Sequence, residues 1–169
     1  MIIAMRHRLA MSLVLLCLTG TLVAETATGE RLIQVHNRAF GELLRPRNAS
    51  KKDGAPLVLY PAQPWKCMTW AVRERAGGGV VLENLFSRKT FAAASAGRGP
   101  AAVEQVPLAT EVWHWEELGD GAWKIIEPES GRVLTAEKTA AGLRVIVAPW
   151  TGADTQKWEL RPAPEHLTM

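Results

Sequence analysis

Beyond the first two dozen residues, apolar positions come in short runs and alternations rather than in a helical stripe. Three windows share one shape, an apolar run, a polar turn and a return to apolar residues: 32–44 (LIQVHNRAFGELL), 80–91 (VVLENLFSRKTF) and 123–134 (WKIIEPESGRVL). Each is punctuated by Gly, Asn, Ser or Pro, which is the grammar of strands joined by tight hairpins. The second window lacks the glycine that the other two carry in the turn. Residues 57–60 (LVLY) and 143–147 (LRVIV) predict two later strands. Residues 92–96 have helical propensity, but they lie between a strand and a Gly-Arg-Gly-Pro turn and are read as strand end and loop.

The windows belong to a repeat. Trp70, Trp115 and Trp158 stand 45 and 43 residues apart, and each has a glycine sixteen positions upstream, Gly54, Gly99 and Gly142. A unit of about forty residues with four short strands fits a propeller blade or a trefoil lobe. Three copies select the trefoil, because propellers typically need at least four blades. The expectation is therefore an all-β chain, a β-trefoil of three pseudo-symmetric repeats at about 32–77, 78–121 and 122–162, followed by a tail at 163–169. Trp70, Trp115 and Trp158, with Leu44, Phe91 and Leu134, are the expected core. Each large aromatic contributes on the order of 2–3 kcal/mol by burial.

The start of the chain changes how composition is read. Arg6, His7 and Arg8 precede an apolar run at 9–18 that is too short to span a bilayer, and Thr21 to Ala24 offers a cleavage site. Residues 1–24 are read as a secretory signal peptide and 25–31 as a linker. Cys17 does not make a lipidation signal, since Leu16 stands where a small residue is needed. Cleavage lowers Lys plus Arg from 20 to 18 against 17 Asp plus Glu. The basic balance almost vanishes, and with it the argument for nucleic acid or an anionic membrane as partner. No stable membrane anchor is expected after cleavage. Cys67 is then the one remaining cysteine; its apolar neighbours predict a buried thiol, with intermolecular pairing the alternative.

The third copy carries the most specific motif: Ser130-Gly131-Arg132-Val133-Leu134, then Gly142, then Gln156-Lys157-Trp158. It resembles the ricin B-type lectin repeat, whose signature is a Ser-Gly-x-x-Leu turn and a closing Gln-x-Trp. The resemblance extends over roughly 32–160. It implies a six-stranded barrel capped by three hairpins, with shallow sugar pockets, one per lobe at most. In that family a carboxylate follows the turn leucine, an aromatic stacks on the sugar ring, and an Asn-Gln pair donates near the closing tryptophan.

Carried over, these positions are Arg45, Tyr60 and Cys67 with Met68 in the first copy. They are Ala92, Gln105 and Val112 with Trp113 in the second, and Thr135, Ala148 and Thr155 with Gln156 in the third. No copy keeps both carboxylate and aromatic. Shifted residues could rebuild a pocket: Trp150 with Asp154 ahead of Gln156, and Tyr60 with Trp65. Alternatively Trp150 and Trp65 cover the open end of the barrel, and Gln156 braces a turn.

Catalysis finds no support. His36, His114 and His166 lack metal-ligand spacing, nucleophile and phosphate-loop motifs are missing, and no cofactor or metal is implied. The carboxylate pairs Glu116 with Glu117 and Glu127 with Glu129 read as solvated. Asn48-Ala49-Ser50 matches a glycosylation acceptor. Three roles remain open: a secreted carbohydrate-binding module with a glycan as partner, a targeting subunit of a secreted toxin or enzyme complex with a protein partner, and an inhibitor of secreted hydrolases.

Overall fold

The computed structural model describes residues 30–94, 100–108 and 112–169, so the predicted signal peptide lies outside the described residues. The first copy folds into β1 (Leu32–Asn37), β2 (Leu43–Pro46), β3 (Leu57–Tyr60) and β4 (Trp70–Glu74). The second gives β5 (Val80–Asn84), β6 (Thr90–Ala93), β7 (Ala101–Val106) and β8 (His114–Glu117). The third gives β9 (Trp123–Ile126), β10 (Val133–Thr139), β11 (Gly142–Ala148) and β12 (Trp158–Pro162). Single 3₁₀ turns at Arg47–Ala49, Lys66–Met68 and Asp154–Gln156 tighten the connections.

First and last strands of the lobes close a ring. β1 pairs with β4, β4 with β5, β8 with β9, β9 with β12, and β12 with β1. A bridge between Val80 and Trp113 joins the second lobe's ends. The middle strands form the hairpins β2–β3, β6–β7 and β10–β11, and β11 touches both β3 and β7. Closure leaves the barrel without free sheet edges.

The core repeats one detail in all three lobes, and it corrects the sequence reading of the second. Trp70, Trp113 and Trp158 are fully buried. Their indole Nε1–H groups donate to the carbonyls of Leu44 (3.1 Å), Phe91 (3.0 Å) and Leu134 (2.9 Å). Each also lies opposite the first strand of its own lobe, at Ile33, Val80 and Trp123. The second lobe's closing tryptophan is thus Trp113. Trp115 is half-buried, tilted against Trp123 at 5.8 Å, and packs on the outside of the core cluster. The physical reason is a shorter lobe: acceptor and indole are 22 residues apart here, against 26 and 24 in the others. Gly97 stands sixteen residues before Trp113, so the interval itself survives; 95–99 lie outside the described residues. Leu44, Phe91 and Leu134 are buried as expected, with Phe91 wedged between Trp70 and Trp113 at 5.2 and 5.1 Å.

A second threefold feature was not read from the sequence. Asn37, Asn84 and Glu127 each stand seven residues before the leucine or phenylalanine that receives the indole. Their side-chain oxygens accept backbone N–H groups of the following turn. Gly41, Arg88 and Gly131 occupy one position of that turn with φ of 66°, 60° and 68°, so the arginine holds a left-handed backbone that suits glycine. Burial pushes the Glu127 carboxyl up, but donors from Ser130 and Glu129, with Arg132 nearby, outweigh it and hold the group below the usual carboxylate range.

Two other expectations meet the structure here. Cys67 is free and buried, and burial pushes its thiol up against the opposing pull of Arg45. The C-terminal tail is docked: the Lys66 N–H donates to the Thr168 carbonyl and the Thr168 N–H to that of Pro64, at 3.1 and 2.8 Å.

Candidate functional site

The first lobe builds a compact cluster from β2, β3 and the loop that follows. Strand β2 carries Arg45 just past the buried Leu44, and β3 ends on Tyr60. The loop then returns Trp65 to face Tyr60, with ring centroids 5.9 Å apart and planes 30° from parallel. The Thr168 backbone pins that return. The Arg45 guanidinium carbon lies 3.8 Å from the Tyr60 centroid and 5.9 Å from that of Trp65. These three separations make Arg45, Tyr60 and Trp65 one compact triangle. Within it Tyr60 stays 39% exposed. Arg45 itself is only 8% exposed, its Nε has no hydrogen-bond partner, and its side chain hydrogen-bonds the Cys67 sulfur. Beside the cluster opens a cavity of about 390 Å³ lined by Arg45, Arg47, Asn48 and Tyr60, and by Gly142 and Leu143 of the third lobe.

The third lobe holds its candidates differently. Gln156 is 2% exposed and saturated: its Nε2 donates to the Pro149 carbonyl and Thr135 Oγ1, at 2.8 and 3.2 Å. Its Oε1 accepts from the Thr151 N–H and hydroxyl, at 2.7 and 2.9 Å. It braces the loop from within. Trp150 is 39% exposed and lies over the Lys124 ammonium at 5.2 Å, whereas Asp154 pairs with Lys157 at 2.9 Å. The two candidates thus have separate partners. In the second lobe, Gln105 is fully buried and donates to the carbonyls of Ser50 and Lys52 at 3.0 Å each. Register puts Val106, opposite Thr90, where Tyr60 stands opposite Leu43 in the first lobe, which corrects the assignment of Gln105 to the aromatic position.

With this geometry established, comparisons add the fold's relatives. No family model and no curated protein matches the chain. Among solved structures, the designed threefold protein ThreeFoil is 27% identical with a TM-score of 0.72, over 77% of this chain and 97% of its own. A ricin B-like lectin from Macrolepiota procera, in complex with lactose, is 15% identical with a TM-score of 0.67, over 80% of this chain and 98% of its own. The fold is that of the ricin B-type β-trefoils. A mosquitocidal holotoxin also matches, at 11% identity and a TM-score of 0.69, but over 82% of this chain the match spans only 18% of the toxin.

In this trefoil the structure brings together Tyr60 and Trp65, meets Trp150 and Asp154 each with a lysine, and leaves Gln156 no free polar atom to offer. Arg45 is the residue that sequence reasoning missed, because it registered only as a lost carboxylate. Its signal was a charge reversal opposite a retained aromatic, which differs from the neutral losses at Ala92 and Thr135. Among the described residues no three His, Cys, Asp or Glu side chains gather as metal ligands would.

Proposed function

We propose that this ricin B-type trefoil is a secreted, non-enzymatic carbohydrate-binding module that holds a sugar on the first lobe. The observation that carries the reading is the partly exposed Tyr60 side chain lining a cavity with Arg45, Arg47 and Asn48. A flat aromatic face stacks on the C–H-rich side of a sugar ring, while polar groups at its margin select hydroxyls. The complex of the Macrolepiota procera lectin with lactose supports a glycan as partner for this fold. Secretion rests on the basic and apolar leader; intact mass of the exported protein is expected to begin at Glu25.

Glycan-array screening followed by titration calorimetry tests the function. Tyr60→Ala is expected to weaken the best ligand by at least about tenfold, or about 1.4 kcal/mol. Trp150→Ala tests the third lobe in parallel. A folded protein that binds no glycan would overturn the reading. The exposed Trp150, backed by Lys124, favours the second role, a docking subunit of a secreted toxin or enzyme complex. Under that role Trp150→Ala abolishes recovery of a defined protein partner from the native secretome, while glycan arrays stay silent.

A further inference from the structure

Arg45 is a buried cation whose contacting side chains carry no opposite charge. Its guanidinium rests on the faces of Tyr60 and Trp65 and on the Cys67 sulfur, and its Nε has no partner. No carboxylate is paired with it among the described residues. The buried carboxylate Glu83 is treated differently, since it is met by both Arg73 and Arg88, at 2.9 and 2.6 Å. An unpaired buried charge is costly, and aromatic faces offset only part of that cost.

The cavity beside it extends the same character. Arg47 and Asn48 line it with Arg45 and Tyr60, and no acidic residue does. A neutral sugar offers hydroxyls that need acceptors as well as donors, and a carboxylate serves that need best. Here the carboxylate position is occupied by a donor with no acceptor capacity. Guanidinium groups instead match planar oxyanions, through short charge-assisted hydrogen bonds.

Building on the proposed sugar-binding role of this lobe, we propose that the Arg45–Tyr60 cavity selects glycans bearing an anionic group, a carboxylate or a sulfate. Arg45 and Arg47 hold the anion while the exposed part of Tyr60 carries the sugar ring.

A glycan array containing neutral, carboxylated and sulfated glycans tests this, with titrations of the hits and of 3′-sialyllactose, 3′-sulfolactose and lactose. Anionic glycans are expected to dominate, and their affinity to fall at least about tenfold between 50 and 500 mM NaCl. The carboxylated and sulfated arms show which anion is preferred. Arg45→Gln should abolish that preference, and near-UV circular dichroism verifies its fold. Arg47→Gln, at an exposed position, should weaken anionic hits about three- to tenfold without touching the core. Binding confined to neutral glycans, or anionic binding indifferent to Arg47→Gln, would overturn the anion preference and leave the sugar-binding role standing. Silence of the folded protein on every arm would sink both.

Discussion

Trp113 and Trp115 are two residues apart, yet only Trp113 has its indole N–H locked onto a buried carbonyl. Replacing Trp113 by phenylalanine removes the donor to the Phe91 carbonyl and leaves space in the core. The two effects together are expected to cost about 2–4 kcal/mol. Trp115→Phe, at a half-buried ring, should cost under about 1 kcal/mol. Urea unfolding of the two variants measures both, and equal losses would show that the second lobe closes on Trp115 after all. The same scale decides Gln156. A reader of Gln-x-Trp sees a polar side chain near a sugar site, but its four bonds to Pro149, Thr135 and Thr151 exhaust it.

At the scale of elements, the hairpin turns clasp one lobe to the one before it. Asn37 Nδ2 donates to the Thr155 carbonyl and Asn84 Nδ2 to that of Cys67, at 3.0 and 2.9 Å. Each acceptor lies three residues before its lobe's closing tryptophan. Glu127 occupies the equivalent place in the third lobe and has no N–H to donate. Asn84 is fully buried and its Oδ1 also accepts from Phe86 and Ser87. Asn84→Ala is therefore expected to cost about 2–4 kcal/mol, and Glu127→Ala, whose bonds are exposed, under about 1 kcal/mol. Thermal unfolding of the pair checks the ordering. These clasps explain what was legible in the sequence. Strand runs, turns and the tryptophan period are local or periodic, so they survive in one dimension. The second lobe's shortened link shifted its register by two, because Trp115 and Gly99 mimic the interval that Trp113 and Gly97 carry. The Arg45–Tyr60–Trp65 cluster was half legible: Tyr60 and Trp65 stood out as aromatics. The role of Arg45 emerges only when β2 and β3 pair and the third lobe's β11 supplies a cavity wall.

For the molecule as a whole, stability depends on the seam where the chain's ends meet, since β1 and β12 close the ring. His36 sits in that seam opposite Glu159 and is buried. Burial lowers its pKa, Arg161 lowers it further, and Glu159 and the Gly41 backbone oppose them without prevailing. The folded barrel thus favours the neutral imidazole, while the unfolded chain protonates it at the ordinary value of about 6.5. Below that value the unfolded state binds more protons than the folded one, so stability declines as pH drops and levels off beneath the folded pKa. The melting temperature should fall between pH 7.5 and 5.5, before carboxylates such as Glu127 begin to titrate. His36→Gln, which keeps a polar planar side chain but cannot ionise, should flatten that part of the profile. If the variant and the parent lose stability in parallel over this range, the seam is not what makes the barrel acid-sensitive.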